Sequence, residues 1–335
     1  MKENKFKYTV SVLIVLSIIL FTTILISSLI GAVDIKFQTF FEIFKGNAQL
    51  TKEGIILKEI RLPRIFLGVL TGGVLACCGV VFQALLRNKL ADPYILGISG
   101  GAALGSIIAL LIGVNIAWIG FGAVPIFAFS GALATIFLVY YFSQIKKNII
   151  VDRLLLVGVV INYIFSAFIL FLTTLLNFTD FHSVMFWLMG SLGVSEYPHL
   201  AIISIYCFLG ISVLWYYSYD LNIISIGEEE AEHLGIEVER VKIICFVAAS
   251  LLIGAVVSLS GLIGFIGLII PHILRFILGA DHRVLIPSSF LLGGIFLVVC
   301  DTIARSLVAP TELPVGVVTA IIGGPVFVYL LKKRG

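Results

Sequence analysis

Few residues in this chain have types and spacing that could do covalent chemistry. Gly97-Ile98-Ser99-Gly100-Gly101 matches G-x-S-x-G, the pattern that exposes a serine nucleophile on a sharp turn. His272, inside an apolar segment, is the candidate base. Together they would make an intramembrane serine protease that acylates Ser99. The competing reading is a small-residue helix-packing face built from Gly97, Ser99, Gly100, Gly101 and Gly105. It is favoured, because the motif is short and Pro271-His272 sits near a charged helix end. No G-x-x-x-x-G-K-[ST] occurs, so the chain holds no ATP on a P-loop. The histidines are scattered, and Cys77, Cys78, Cys207, Cys245 and Cys300 all lie in apolar blocks without metal-ligand spacing. Neither a metal nor a cofactor is expected. Charge deep within the apolar blocks is scarce, which argues against the proton relay of an ion-coupled secondary carrier.

What remains is charge at the ends of apolar blocks. Residues 220–240 form a polar island with seven acidic residues, Asp220, Glu228, Glu229, Glu230, Glu232, Glu237 and Glu239. Arg61-Leu62-Pro63-Arg64 begins one block, and Asp301 with Arg305 ends another. Such residues snorkel at a membrane interface, or they form a basic docking ring for an acidic extracellular protein.

The elements that must position these groups follow from composition. Of the 335 residues 60% are hydrophobic and 12% charged, with a mean hydropathy of +1.15. A soluble domain carries about 25% charged residues. The chain therefore reads as a polytopic membrane protein, a single transmembrane domain over residues 1–335 whose first apolar segment is retained. A net charge of +3 gives no reason to expect nucleic acid. A helical span needs about 20 apolar residues. That length places spans at 9–33, 65–86, 154–176, 200–219, 284–300 and 313–331. A further pair falls between Tyr94 and Ile145, turning near Asn115, Gly120, Gly122 and Pro125. The stretch 243–274 is too long for one helix and short for two. It reads as a seventh span and a short eighth one broken by glycine and by Pro271, held in the protein interior.

Ten spans put both termini on one side. With the N-terminus inside, only Lys36, Lys45, Lys52, Lys58, Arg61, Arg64 and Arg305 of the 22 Lys and Arg lie outside. The positive-inside rule therefore selects N-in, C-in and turns the island to the cytoplasm. Within it, Ser225 and Glu228 are spaced as a capping box, three glutamates fill a first helical turn, and Gly235 stands where a helix C′ residue would. A very short amphipathic helix results. It is either a solvated turn on the membrane surface or a docking surface for a soluble partner.

Taken together, several motifs resemble the FecCD family, the permeases of iron–siderophore, haem and cobalamin ABC importers. They are Arg61-Leu62-Pro63-Arg64, Arg87-Asn88-Lys89-Leu90-Ala91-Asp92-Pro93, Leu96 to Gly101, Phe186 to Leu192, Ser225 to Glu229, Gly264 to Leu268 with Pro271-His272, and Glu312 to Ala320 with Gly324 to Phe327. The likeness runs in order from about residue 55 to the C-terminus. It implies a homodimer or pseudo-dimer of ten-helix subunits in a bacterial or archaeal cell membrane. Two cytoplasmic ATP-binding subunits would power it, and an extracytoplasmic substrate-binding protein would deliver the chelate. By the same likeness, ATPase coupling falls on Asn222, Gly227, Glu228, Glu229, Ala231, Leu234 and Gly235. Binding-protein docking falls on Arg61, Arg64 and Arg305. The cytoplasmic gate falls near Asn88, Leu90, Val151 and Asp152. Lys89 replaces the family's usual proline, and Val151 and Asp152 replace small hydroxyl residues.

Overall fold

The computed structural model describes residues 2–31, 33, 35–36, 51–113, 122–145, 148–193, 196–309 and 311–332. The expected turn residues Asn115 and Gly120, as well as Lys45, lie outside them. Among the described residues the secondary structure is helical apart from a two-residue antiparallel link, Gln144–Ile145 with Asn148–Ile149. In chain order the helices are α1 (Lys2–Leu29), α2 (Leu62–Leu85), α3 (Ile98–Ile112), α4 (Ala123–Ser143), α5 (Val151–Thr173), α6 (Phe178–Leu188), α7 (Tyr197–Tyr216), α8 (Ser218–Ile224), α9 (Glu228–His233), α10 (Val238–Ser260), α11 (Ile266–Leu278), α12 (His282–Ser306) and α13 (Val315–Lys332). A short helical lead-in, Lys52–Arg61, runs into α2. Among the described residues seven helices are long and apolar enough to cross a membrane: α1, the lead-in with α2, α4, α5, α7, α10 and α12. Helices α3, α11 and α13 are apolar but shorter.

The core is built around α2, whose residues are nearly all buried. Helix α12 packs along it, and α10 and α11 close its other sides. Glycine lets the backbones touch. A Cβ at Gly72 would come within 2.2 Å of the Gly293 carbonyl oxygen, and one at Gly293 within 2.3 Å of that of Gly72. The α3–α4 crossing is made the same way, between Gly101 and Gly131 and between Gly105 and Phe127. Large apolar residues of α1, α5 and α7 are exposed on the surface of the single chain.

The expected break in the 243–274 stretch is present, but Pro271 does not cause it. Helix α10 ends at Ser260, and the break spans Gly261 to Phe265, where Gly261 (φ +64°) and Phe265 (φ +70°) take left-handed backbone. Pro271 sits inside α11 without ending it. Its missing N–H frees the Gly267 carbonyl, and the buried Gln83 of α2 donates to that oxygen at 3.1 Å. Pro287 in α12 is handled alike, with the Trp215 indole donating to the Arg283 carbonyl at 3.0 Å. In a bilayer these freed carbonyls find no water, so a neighbour's side chain takes the missing role.

Candidate coupling and docking sites

Helices α8 and α9 carry the island. Leu221, Ile224 and Ala231 are fully buried and fasten both to the core. The expected capping box does not form. The Ser225 hydroxyl turns back to the Leu221 carbonyl at 2.6 Å, and the N-cap of α9 is Gly227, without a side-chain cap. The Glu230 carboxylate folds over Gly227 instead, where any Cβ would overlap it. The C-terminus is as read from the sequence. Gly235 (φ +82°) is C′, its N–H bonds the Glu232 carbonyl and that of Ile236 bonds the Ala231 carbonyl, a Schellman motif.

The expected coupling residues divide by role. Glu229 and Leu234 are exposed, together with Ile226, Glu230 and Glu232, giving a mixed acidic and apolar surface. Gly227, Ala231 and Gly235 shape the backbone. Asn222 faces inward: its amide donates to Asp281 at 3.0 Å, and its oxygen accepts from the His282 backbone N–H at 2.8 Å. Hydrogen bonds from Arg283 foremost, and then from Asn222, hold the Asp281 carboxyl well below its usual range. Asn222 thus ties α8 to the start of α12. Glu228 is partly buried and faces Lys242 of α10 at 2.5 Å, and Lys242 also meets Glu239 at 3.0 Å. Lys242 is only 4% exposed. Sequence reasoning missed it, because it read as one more cytoplasmic charge.

A polar cleft of about 580 Å³ opens beside this pair, lined by Leu86, Arg87, Ile150, Val151, Asp152, Glu228, Glu239 and Lys242. Of the four expected gate residues, Val151 and Asp152 line it. Asn88 and Leu90 do not; both are exposed, and the Asn88 side chain caps the Leu90 N–H at 2.9 Å.

The three arginines gather at the opposite end of α12, but they are buried, at 4% exposure for Arg61, 7% for Arg64 and 4% for Arg305. Here they belong to an internal network. Arg64 and Arg305 each bond the Asp301 carboxylate at 2.9 Å, and Arg64 also meets the half-exposed Glu312 at 2.6 Å. Arg305 reaches the Ser27 hydroxyl at 2.9 Å. Arg61 donates to the carbonyls of Ser28, Leu29 and Val33, at the end of α1. Desolvation explains the inward turn, since a guanidinium near apolar surroundings must meet a carboxylate or carbonyls.

The protease constellation is not assembled. Ser99 Oγ is buried, and no hydrogen bond joins it to His272 or another base among the described residues. His272 lies edge-on to Phe327. Gly101 and Gly105 make the packing face that competed with the enzymatic reading.

Comparison with known proteins agrees with this architecture. The cobalamin import system permease protein BtuC of Halobacterium salinarum is 41% identical over 84% of this chain and 74% of its own length. The hemin transport system permease protein HmuU of Yersinia pestis is 38% identical over 92% of this chain and 91% of its own. A solved structure of an inward-facing metal-chelate type ABC transporter superposes with a TM-score of 0.86 at 30% identity, covering 96% of this chain and 99% of that one. The model of the FecCD transport family matches residues 18–333. Matched over nearly its whole length, this multi-pass membrane chain belongs to the FecCD transport family.

Proposed function

We propose that this chain is the permease subunit of an ATP-driven importer, passing an iron chelate (siderophore or haem) or cobalamin across a bacterial or archaeal cell membrane. Its ten spans run N-in, C-in, and a second permease subunit completes the path. ATP hydrolysis takes place on separate cytoplasmic subunits, and an extracytoplasmic binding protein delivers the cargo. One observation carries the reading: α9 presents exposed Glu229, Glu232 and Leu234 to solvent while its first residue, Glu228, grips a buried lysine beside a cleft. That arrangement suits a lever that takes force from a soluble partner. Relatives with hemin and cobalamin in their names, and a metal-chelate type neighbour, support the cargo class.

Arg61, Arg64 and Arg305 remain the candidates for binding-protein docking. An acidic partner would reach Arg64 by taking the place of Asp301 or Glu312.

Affinity-tagged chain purified from its native membrane should bring ATP-binding subunits with it, and Glu228→Lys should uncouple their hydrolysis from uptake. Purification without any ATPase subunit would overturn the proposal.

A further inference from the structure

Lys242 is a buried cation near the start of α10. It is the fifth residue of α10, close to an N-terminus whose dipole disfavours positive charge. Burying an ammonium is unfavourable unless carboxylates meet it. Two do, and they come from different elements: Glu239 from the same helix and Glu228 from α9, 14 residues away along the chain. Lys242 also borders a second, smaller space. With Phe82 and Leu85 of α2, Leu86 just past it, Val151 and Leu154 of α5, and Phe246, it lines a small apolar void next to the cleft. One side chain therefore has its charged tip on the island and borders a void shared with the two helices that bear the cleft's far wall.

We infer that Lys242 is a positioning residue that transmits displacement of α9 to the cleft wall formed by Val151 and Asp152. The inference rests on the proposed permease function, because it assigns the joint between input and gate. A shift of α9 carries the Glu228 carboxylate with it. The ammonium follows, since the alternative leaves a buried charge with Glu239 as its one remaining carboxylate, and the stem moves against α5. Asn222, tying α8 to α12, anchors the other side of the island and makes no such contact with the cleft.

The test uses the complete importer in nanodiscs, with its ATP-binding subunits. The five native cysteines are all buried, so introduced thiols report with little background. Asp152→Cys and Arg87→Cys report from two walls of the cleft, and their reaction rates with a water-soluble maleimide are measured before and after trapping with MgATP and vanadate. In the parent background, trapping should change at least one rate about tenfold, within the roughly 5–150-fold span of allosteric couplings. Lys242→Met should abolish the change while the ATPase subunits remain bound and hydrolyse ATP. Lys242→Arg should restore it, as should the exchange Glu228→Lys with Lys242→Glu. An unaltered response in Lys242→Met overturns the inference, and so does a parent in which neither reporter responds. Restoration by neither rescue variant would mark a packing role only and overturns it too. Failure of the permease proposal itself looks different: no ATPase subunit then associates with the parent or any variant.

Discussion

Asp301→Asn is the sharpest perturbation of the network at the outer end of α12. Asp301 is 1% exposed and binds two guanidiniums that are themselves buried. Removing one partner of a buried ion pair costs about 3–5 kcal/mol, because the other charge is stranded. Arg64 retains Glu312, so the lower figure, about 3 kcal/mol, applies here. With an unfolding entropy of about 2.1 cal/mol/K per residue, that is a fall in Tm of about 4 °C for the 335-residue chain. Thermal unfolding of the purified chain in detergent, followed by tryptophan fluorescence, measures it. Adding Arg305→Met to Asp301→Asn should recover part of the loss, since it removes the stranded cation. The reasoning is refuted if Asp301→Asn moves Tm by less than about 1 °C, or if the two substitutions lower Tm additively. The same logic bears on docking. Arg305→Glu would set a second carboxylate against Asp301, so any loss of partner binding must be read beside this Tm.

Gly79→Ala should destabilise by at least about 1–3 kcal/mol, because its Cβ would meet the Gly267 carbonyl oxygen at 1.9 Å, whereas Gly122→Ala, with nothing within 4 Å, should stay within about 0.5 kcal/mol in the same melt. Arg87→Gly should raise stability by about 0.5–1 kcal/mol, since Arg87 holds a left-handed backbone (φ +47°) just past α2. Asp92, half-buried in the loop before α3, has its pKa pushed up to about 6 by desolvation, against an opposing hydrogen bond from the Tyr94 N–H. A raised carboxyl pKa favours folding when protonated, so this contribution, about 3 kcal/mol, is full below pH 4 and lost as pH rises through 6. Asp92→Asn keeps the cap and should flatten the dependence of Tm on pH between about 4 and 6.

Much of this was legible because a bilayer imposes lengths. The apolar blocks expected at 9–33, 154–176 and 284–300 each carry a long helix, Lys2–Leu29, Val151–Thr173 and His282–Ser306. The Schellman turn at Gly235 was readable because glycine alone fits left-handed backbone cheaply there. Side-chain destinations were not legible. Ser225 and Glu228 had capping-box spacing, yet Ser225 bonds backward and Glu228 is claimed by Lys242. Pro271 looked like a breaker because the sequence cannot show Gln83 arriving to satisfy the freed carbonyl. The arginines at 61, 64 and 305 looked like a surface ring because Asp301 seemed only to be their neighbour. Its carboxylate in fact closes a contact across 237 positions of chain.

That separation has a consequence for how the protein is made. Arg64 leaves the ribosome 237 residues before Asp301. At about 5–20 residues per second, this is a delay of roughly 12–50 seconds. During it α2 must wait with Arg64 uncompensated, in a helix whose surroundings in the finished protein are almost wholly apolar. The nascent chain is therefore committed to a late rearrangement, in which an early span is admitted to its place only when a distant one delivers the matching charge. Truncation anywhere before Asp301 leaves Arg64 without that carboxylate.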